Sequence, residues 1–600
     1  MLSHAIRFLR ERFGFIIIAL AFCVSAFIVY INQNDDEDRY YTVRPGDSLV
    51  EIASNHQTTV DALCNENYPD ITEKDAPTPG MKIRLPRSAK SRTITVRIAH
   101  WQLEPGFRDG IDLIAKEYRK LHPNVRIIQI GVPYNTYGQW FSTQMVGGAP
   151  PDLIQIGYVP YNLLISYFMR YFTPLTEYIN APNPYNAGNE FRDLSLRDTT
   201  KDGLRACYYP DLQEYMTVGI TMHLTRMVYN KTLLKKFTGS DVPPKTFGEF
   251  IAACEMIKTN TCVPIANSSF HMAHILENNF FQPITSKARE VIDFNHDCGI
   301  SAVEQYIGMK SELITLDHPS YRAKFAMVAA VGSNCSPGYT GLNRDDAVLL
   351  FIQKRAVFIP SWTGDVNILV EQGRDNGFEI GVFDFPFPGQ NDIAANVFEG
   401  PGYENAVSGT WFGCDTPDSD PDRKRAAIDF LLFLLEKNNN IKLNRMTGWI
   451  PCIKGAPGEG ILASITPHVD GVTPGMNLNI GGESIIKWSQ LYALLQIGEL
   501  SFEKLRDEFT PYYLARGYKD YLSVTKDFRR SIFNDEKISG AQRIKMLTGM
   551  HAGRNELAAK YRYTLLRAVT REVDTSYERM LVANVEKGGT IRKAYEYNGR

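Results

Sequence analysis

Over residues 218–225, Val218, Ile220, Met222 and Leu224 alternate with Gly219, Thr221, His223 and Thr225. That is the period-two pattern of a strand with one buried face. A second apolar run, Met227 to Tyr229, leads through Asn230 into a short lysine-rich helix that Gly239 can end. Pro243 and Pro244 then interrupt the chain, and Thr246 with Glu249 forms a capping box for another helix. Phe247, Phe250, Ile251, Cys254 and Ile257 share one face of it. Upstream, Ile94, Val96 and Ile98 alternate in a strand ending at His100-Trp101. The helix after it turns Phe107, Ile111, Ile114, Ala115, Tyr118 and Leu121 inward and stops at Pro123. Val125 to Ile130 is a second strand, followed by a helix carrying Trp140, Phe141, Gln144 and Met145 that ends at Gly147-Gly148. Leu153 to Ile156 is a third strand. Strands alternating with helices predict a parallel sheet, with ligands beyond the strands' carboxyl ends.

The amino-terminal pattern differs. Gly14 to Ile31 carries no charge, and at about 18 residues it is close to the minimum for a bilayer-spanning helix. Arg7, Arg10 and Arg12 precede it and Asp35 to Asp38 follow, so the amino terminus should stay inside and the bulk of the chain outside. Val24 and Ala26 offer a small-residue site for signal cleavage, but the apolar run continues through Phe27 to Ile31, which suits an uncleaved anchor. Between Tyr40 and Pro86 a short strand from Tyr41 meets a turn at Pro45-Gly46. Ser48 and Glu51 cap a helix that turns Leu49, Ile52 and Ala53 inward. A second helix bears Val60 and Leu63, and Pro79-Gly80 turns into a closing strand from Lys82 to Leu85.

Composition narrows the class. At 600 residues the chain is too long for one ordinary core, and 44% hydrophobic with 22% charged residues is a globular balance. A formal net charge of -2 removes any general case for a nucleic-acid partner. The nine cysteines show no CxxC pair and no Cys/His zinc spacing. If the chain is exported some could be bridged, Cys254 with Cys262 being the most local pair, though isolated buried thiols account for most of them equally well. His271, His274 and Glu277 fall at helical spacing and read as a polar helix face before a metal site. Asp384, Asp392 and Glu399 have no spacing that fixes a catalytic pair. There is no GxxxxGK[ST], GxSxG or HExxH, so no nucleotide hydrolysis, nucleophile elbow or zinc protease is expected, and no cofactor.

Two resemblances organise these pieces. "YTVRPGDSL", "TTVDAL" and "PGMKIRLP" are very similar to the LysM module, which binds glycans containing N-acetylglucosamine, such as peptidoglycan. That resemblance places a groove at Gly46, Asp47 and Ser48 and at Pro69, Asp70 and Ile71; a spacer that binds nothing is the bland alternative. From Thr93 to Tyr521, the ordered set "GGAPPDLIQIG", "VYNK", "PPKTF", "RAVFIPSWTGDV", "SGTWFG" and "NRMTGWIPCIKGAP" resembles extracytoplasmic solute-binding proteins of the maltose-binding type. Phe247 stands where that family usually has tryptophan.

The second resemblance implies a two-lobe α/β binding domain of the periplasmic type II class, which closes about a hinge on a ligand. A sugar site needs flat aromatic platforms and a few fixed polar groups. By this resemblance binding roles fall to Trp101, Tyr158, Trp362 and Trp411, then to Tyr209 and Trp449, with Glu104, Asp365 and Glu399 as hydroxyl acceptors. For each ring, a place in the core is an equally ordinary use. The expected layout is 1–13 cytoplasmic, 14–31 a transmembrane anchor, 40–86 LysM, 93–523 the two-lobe domain and 524–600 a helical extension. The expected activity is capture of a carbohydrate for an ABC-type permease whose ATPase is a separate chain, with peptidoglycan held by LysM. A cell-wall-tethered sugar sensor is the first alternative and a glycan-acting enzyme the last.

Overall fold

The computed structural model describes residues 40–591, apart from single positions and short stretches, among them 68–70, 72–76, 86–92, 406–409, 414–419, 476–481 and 549–553. The expected anchor at 14–31 lies outside the described residues. Among the described residues no helix is long and apolar enough to cross a membrane.

The first module pairs β1 (Tyr40–Thr42) antiparallel with β2 (Lys82–Arg84) around α1 (Leu49–Asn55) and α2 (Val60–Glu66). Its core is Val43, Leu49, Ile52, Ala53, Leu63, Ile71 and Ile83. The predicted capping box is present: Glu51 N donates to Ser48 Oγ at 3.2 Å, and Ser48 N donates back to the Glu51 carboxylate at 3.2 Å.

The larger region begins with β3 (Ile94–His100), α3 (Pro105–Leu121), β4 (Val125–Gly131), α4 (Tyr134–Gly147), β5 (Leu153–Gln155) and α5 (Tyr161–Tyr171). Phe107, Ile111, Ile114 and Tyr118 are buried as their spacing predicts, but Leu121, at the carboxyl end of α3, is exposed. Gly148 ends α4 in the left-handed conformation at φ 69°, which glycine adopts without strain. A small hairpin, β6 (Tyr208–Tyr209) with β7 (Glu214–Tyr215), precedes β8 (Val218–Gly219).

The chain then leaves this lobe. β9 (Thr225–Asn230) enters a second sheet, followed by α6 (Lys231–Thr238) and α7 (Phe247–Ile257). Gly239 closes α6 at φ 81°, and Thr246 and Glu249 cap α7 reciprocally. The alternation over 218–225 predicts one strand with one wet face. Instead β8 stops at Gly219, and Ile220, Thr221, Met222 and Leu224 are all buried, because this stretch passes between two lobes.

The second lobe adds β10 (Val263–Ile265), a π-helix over His271–Phe281, α8 (Ala302–Lys310), α9 (Pro319–Gly332), β11 (Ala356–Trp362), α10 (Thr363–Asp375) and β12 (Ile380–Phe383). Its sheet runs β10-β11-β9-β12, with β10 parallel to β11 and the other pairs antiparallel. Cys254 and Cys262 are free buried thiols in this lobe's core, so the local bridge does not form. The chain then returns, and β13 (Thr410–Gly413) inserts between β5 and β8, giving the first lobe the order β4-β3-β5-β13-β8.

The first lobe's core gathers Tyr137, Phe141, Met145, Ile165, Phe168 and Phe172. Residues 452–454 still pair with the 199–201 stretch, and further on α11 (Glu483–Gln496) joins the second lobe's core, burying Trp488, Leu491 and Leu495. The carboxyl-terminal part is a hairpin of two long helices, α12 (Phe502–Thr548) and α13 (Arg554–Glu586). α12 passes residue 523 without a break. Leu505, Phe509 and Tyr513 of α12 and Val582 and Val585 of α13 belong to the second lobe's core.

Candidate site at the lobe crossing

Three stretches are knitted together where the lobes meet. Leu224 N donates to Thr363 Oγ1 at 3.0 Å, and Thr363 N donates to Leu224 O at 2.8 Å, tying the first crossing to the start of α10. Met222 N donates to Ile450 O at 2.9 Å, and Asn367 Nδ2 to Gly448 O at 2.8 Å, bringing in the last crossing. Buried Asn440 and Asn444 both donate to Ile220 O, at 2.9 and 3.1 Å. These bonds satisfy backbone groups that would otherwise be buried unpaired between the lobes.

A row of rings runs along this seam. His100, at the carboxyl end of β3, meets Phe107 edge-on at 5.1 Å; Phe107 lies 5.5 Å from Trp449; and Trp449 meets His223 at 4.6 Å. His223 sits against Gly364 so closely that a Cβ there would stand 2.7 Å from its ring, which reserves the position for glycine. Burial lowers both His100 and His223 to a pKa of about 4, so both rings are neutral near pH 7. His100 Nε2 hydrogen bonds with Gln129 Oε1 at 3.0 Å.

Each lobe also carries one half-buried tryptophan at the end of a sheet strand. In the first lobe Trp101 follows β3, packs edge-on to Tyr137 at 4.9 Å and donates its backbone N–H to Gln155 Oε1 at 3.3 Å. A Cβ at Gly157 would stand 2.6 Å from the Trp101 ring, so the bare backbone after β5 lets the tip of the indole come close. In the second lobe Trp362 ends β11 and meets Phe270 edge-on at 5.2 Å, and Phe270 leans on His274 at 5.0 Å. Asp365, one turn into α10, is paired with Arg344 at 2.6 Å. Phe270 and Arg344 were not singled out from sequence. Phe270 stands five residues beyond β10, and its position past a strand's carboxyl end was the available signal.

The other expected site residues lie elsewhere or outside the described set. Trp449 is buried within the seam, so it lines the hinge and presents no open face. Tyr209 packs on Phe168 at 4.7 Å in the first lobe's core, where burial raises its phenol to about 12. Glu399 pairs with Lys287 at 3.1 Å and accepts from Ser286 Oγ at 3.2 Å. Glu104 and Tyr158 lie outside the described residues; Trp411 is placed only as part of strand β13. Of the histidine–acid set, His271 bonds Ser268 Oγ at 2.8 Å while Glu277 is tied to buried Lys324 at 2.5 Å, so the three serve separate structural contacts.

In the LysM module the Asp47 carboxylate accepts from Tyr41 Oη at 2.5 Å and from Arg44 N at 2.8 Å, which orders the first groove loop. Those bonds hold its carboxyl below the usual range, the Tyr41 hydroxyl contributing most. Ser48 is engaged in the helix cap. Ile71 packs its side chain into the core, so the groove expected there can use only its backbone. Gly46, Pro69 and Asp70 lie outside the described residues.

A charged clamp flanks the seam. Arg226, at the start of β9, is 3% exposed and makes two bonds to Glu404, at 2.6 and 3.1 Å. It also pairs with Asp384 at 2.6 Å and donates to Thr466 O at 2.9 Å. Burial pushes the Asp384 carboxyl up, but the His468 hydrogen bond and the Arg226 charge outweigh it and leave the group below its ordinary value. One guanidinium thus joins β9, the stretch after β12 and the stretch near residue 466.

Two lobes joined by several crossings, each with a half-buried tryptophan at the end of a sheet strand, make up the architecture. The comparisons give its family. Residues 114–464 match the model for bacterial extracellular solute-binding proteins, and residues 41–86 match the LysM domain. The chain belongs to the bacterial extracellular solute-binding protein family and carries a LysM domain.

An uncharacterized ABC transporter extracellular-binding protein of Pyrococcus horikoshii is 25% identical over 201 residues, 30% of this chain and 40% of that protein. The chain thus spans well under half the length of the curated relative it matches. Among solved structures, the apo form of RafE from Streptococcus pneumoniae superposes with a TM-score of 0.50 at 16% identity, covering 70% of this chain and 98% of that one. The cyclic alpha-maltosyl-1,6-maltose binding protein of Arthrobacter globiformis gives 0.48 at 15%, with 70% and 98% covered. RafE shows the shared two-lobe fold.

Proposed function

We propose that the chain captures a carbohydrate between its two lobes and delivers it to an ABC-type permease with a separate ATPase. LysM holds a glycan containing N-acetylglucosamine, such as peptidoglycan, and residues 14–31 tether the chain to the cytoplasmic membrane with its bulk outside. The observation that carries this reading is a half-buried indole at the carboxyl end of a strand in each lobe, Trp101 just beyond β3 and Trp362 at the end of β11. Flat aromatic faces on two moving walls suit the C–H faces of a sugar, and hinge closure lets both engage at once. Trp362 and Phe270 form one wall, and Asp365, steadied by Arg344, supplies an acceptor beside it. Trp411, Tyr158 and Glu104 remain proposed contacts on the first lobe. The Pyrococcus relative, named an ABC transporter binding protein, supports the importer.

The test is a thermal-shift and tryptophan-fluorescence screen of residues 40–600 against mono- and oligosaccharides, polyols, amino acids and ions. A sugar should raise the melting temperature and change indole emission, since binding confined to the native state stabilises it. A response to an amino acid or an ion and to no sugar would overturn the substrate class. For LysM, sedimentation with insoluble peptidoglycan should deplete the wild type and leave a chain lacking residues 40–86 in solution. For the anchor, the full chain should stay with membranes after alkaline washing, and release by that wash would refute it.

A further inference from the structure

The outer face of α13 carries an apolar stripe. Leu566, Val569, Val573, Tyr577 and Met580 are each between 38% and 61% exposed, with Leu565 beside them at 43%. At about 100° per residue, those five fall within roughly 40° of Val573 around the helix axis. The buried residues of α13 lie on the opposite side: Thr564, Arg567, Ala568, Glu578, Val582 and Val585. That inner face is anchored by Glu578, which accepts from Ser301 Oγ at 2.6 Å, and by Arg571, which donates to Ser531 Oγ at 2.6 Å. The stripe is therefore a second apolar face on a helix whose first is already used.

Its spacing is symmetric. Counting from Val573, the apolar positions stand at minus seven, minus four, zero, plus four and plus seven. A face with this property is self-complementary under a twofold axis through its centre, as an isologous interface requires. We propose that α13 pairs antiparallel with α13 of a second copy about an axis at Val573. Leu566 then meets Met580 of the partner subunit, Val569 meets Tyr577 of the partner subunit, and Val573 meets its own equivalent. The steps of three, four, four and three residues keep the stripe on one side of the helix, as in two helices packed at a shallow crossing angle.

The stripe amounts to roughly 500–600 Å² of apolar surface per copy, at the upper end of a monomer's largest patch, and two copies together reach the roughly 1,000 Å² a small specific interface needs. The flanks argue against a lipid surface as the occupant. Exposed Arg562, Thr570, Glu572, Ser576 and Arg579 mix both signs with neutral groups, whereas helices that lie on membranes are rich in lysine and arginine there. The pairing depends on this helix face alone and is independent of what the lobes bind.

Oxidative cross-linking in cells producing the full chain tests the register. Cys23, Cys298 and Cys414 are changed to serine, since the six cysteines among the described residues are all buried. In that background Val573→Cys alone should give a disulfide-linked dimer. Leu566→Cys and Met580→Cys should each give none alone but a dimer when the two variants are co-expressed. Self-linking at all three positions would mean parallel pairing and would overturn the proposal; so would no linking at any of them.

Sedimentation of the purified full chain in detergent supplies a second readout. Val573→Glu should weaken self-association at least ten-fold with the melting temperature unchanged, because the residue is exposed. A full chain that stays monomeric to about 100 μM would refute the pairing. Flotation with anionic vesicles that Val573→Glu abolishes, in a monomeric chain, would assign the stripe to lipid instead.

Discussion

Replacing Arg226 with methionine removes the clamp beside the hinge while keeping most of its volume. The consequences for its partners differ with burial. Asp384 is 49% exposed and can rehydrate, so losing its ion pair costs little. Glu404 is only 9% exposed and loses two charge-assisted bonds, keeping His468 N at 2.9 Å as a donor. Breaking a buried pair by deleting one member costs about 3–5 kcal/mol, because the remaining charge is stranded. At about 2–4 °C per kcal/mol, the melting temperature should fall by roughly 6–20 °C.

Differential scanning fluorimetry at pH 7 measures the single variants, and Arg226→Met combined with Glu404→Gln completes the comparison. The double variant should recover more than half of the loss, since no uncompensated charge remains. A single variant within 2 °C of wild type (on the order of 1 kcal/mol or less), or a double variant as unstable as the single, would show that the clamp contributes nothing particular to the crossing.

Trp362→Ala should weaken sugar binding about ten-fold or more by titration calorimetry, with Phe270→Ala giving a smaller loss and both leaving the circular dichroism spectrum unchanged. Acid should destabilise the fold well above carboxylate pH. His100 and His271, both essentially fully buried, have pKa values lowered by burial to about 4, below the unfolded value near 6.5. Their neutral forms leave stability intact above pH 6.5; as pH falls from there to 4 the unfolded chain takes up more protons, and about 3 kcal/mol per histidine is lost. Melting temperature against pH should show this slope, flattened in His100→Gln. Gly332→Ala should destabilise strongly, by about 2 kcal/mol or more in urea titration, because its Cβ would stand 1.7 Å from the Gln496 carbonyl oxygen where α9 meets α11.

The local code carried much of this architecture. Caps at Thr246–Glu249 and Ser48–Glu51 and the stops at Gly148 and Gly239 follow from side-chain and φ preferences that act within a few residues. Trp101 and Trp362 could be placed because both follow strands of clear apolar pattern. What remained hidden depends on distant partners. Residues 220–224 look like a one-sided strand, but packing between lobes buries both sides, and no local pattern reports that. Tyr209 and Trp449 have the composition of platform residues, yet the first is absorbed by Phe168 and the second by Phe107 and His223. Arg226 was missed because a single arginine in a strand gives no hint of Glu404 so far along the chain.

The place of β13 has a consequence for biogenesis. Phe412 pairs with Ile154 and Trp411 with Val218, so the middle of the first sheet stays empty until the ribosome has made residue 413. During that interval β5 and β8 present unsatisfied edges, the kind of surface to which foreign strands attach. The second lobe is completed later still, since Trp488, Leu505 and Val582 of its core all follow residue 413. Premature termination between residues 230 and 410 should give products prone to aggregate, whatever the intrinsic quality of the segments already made.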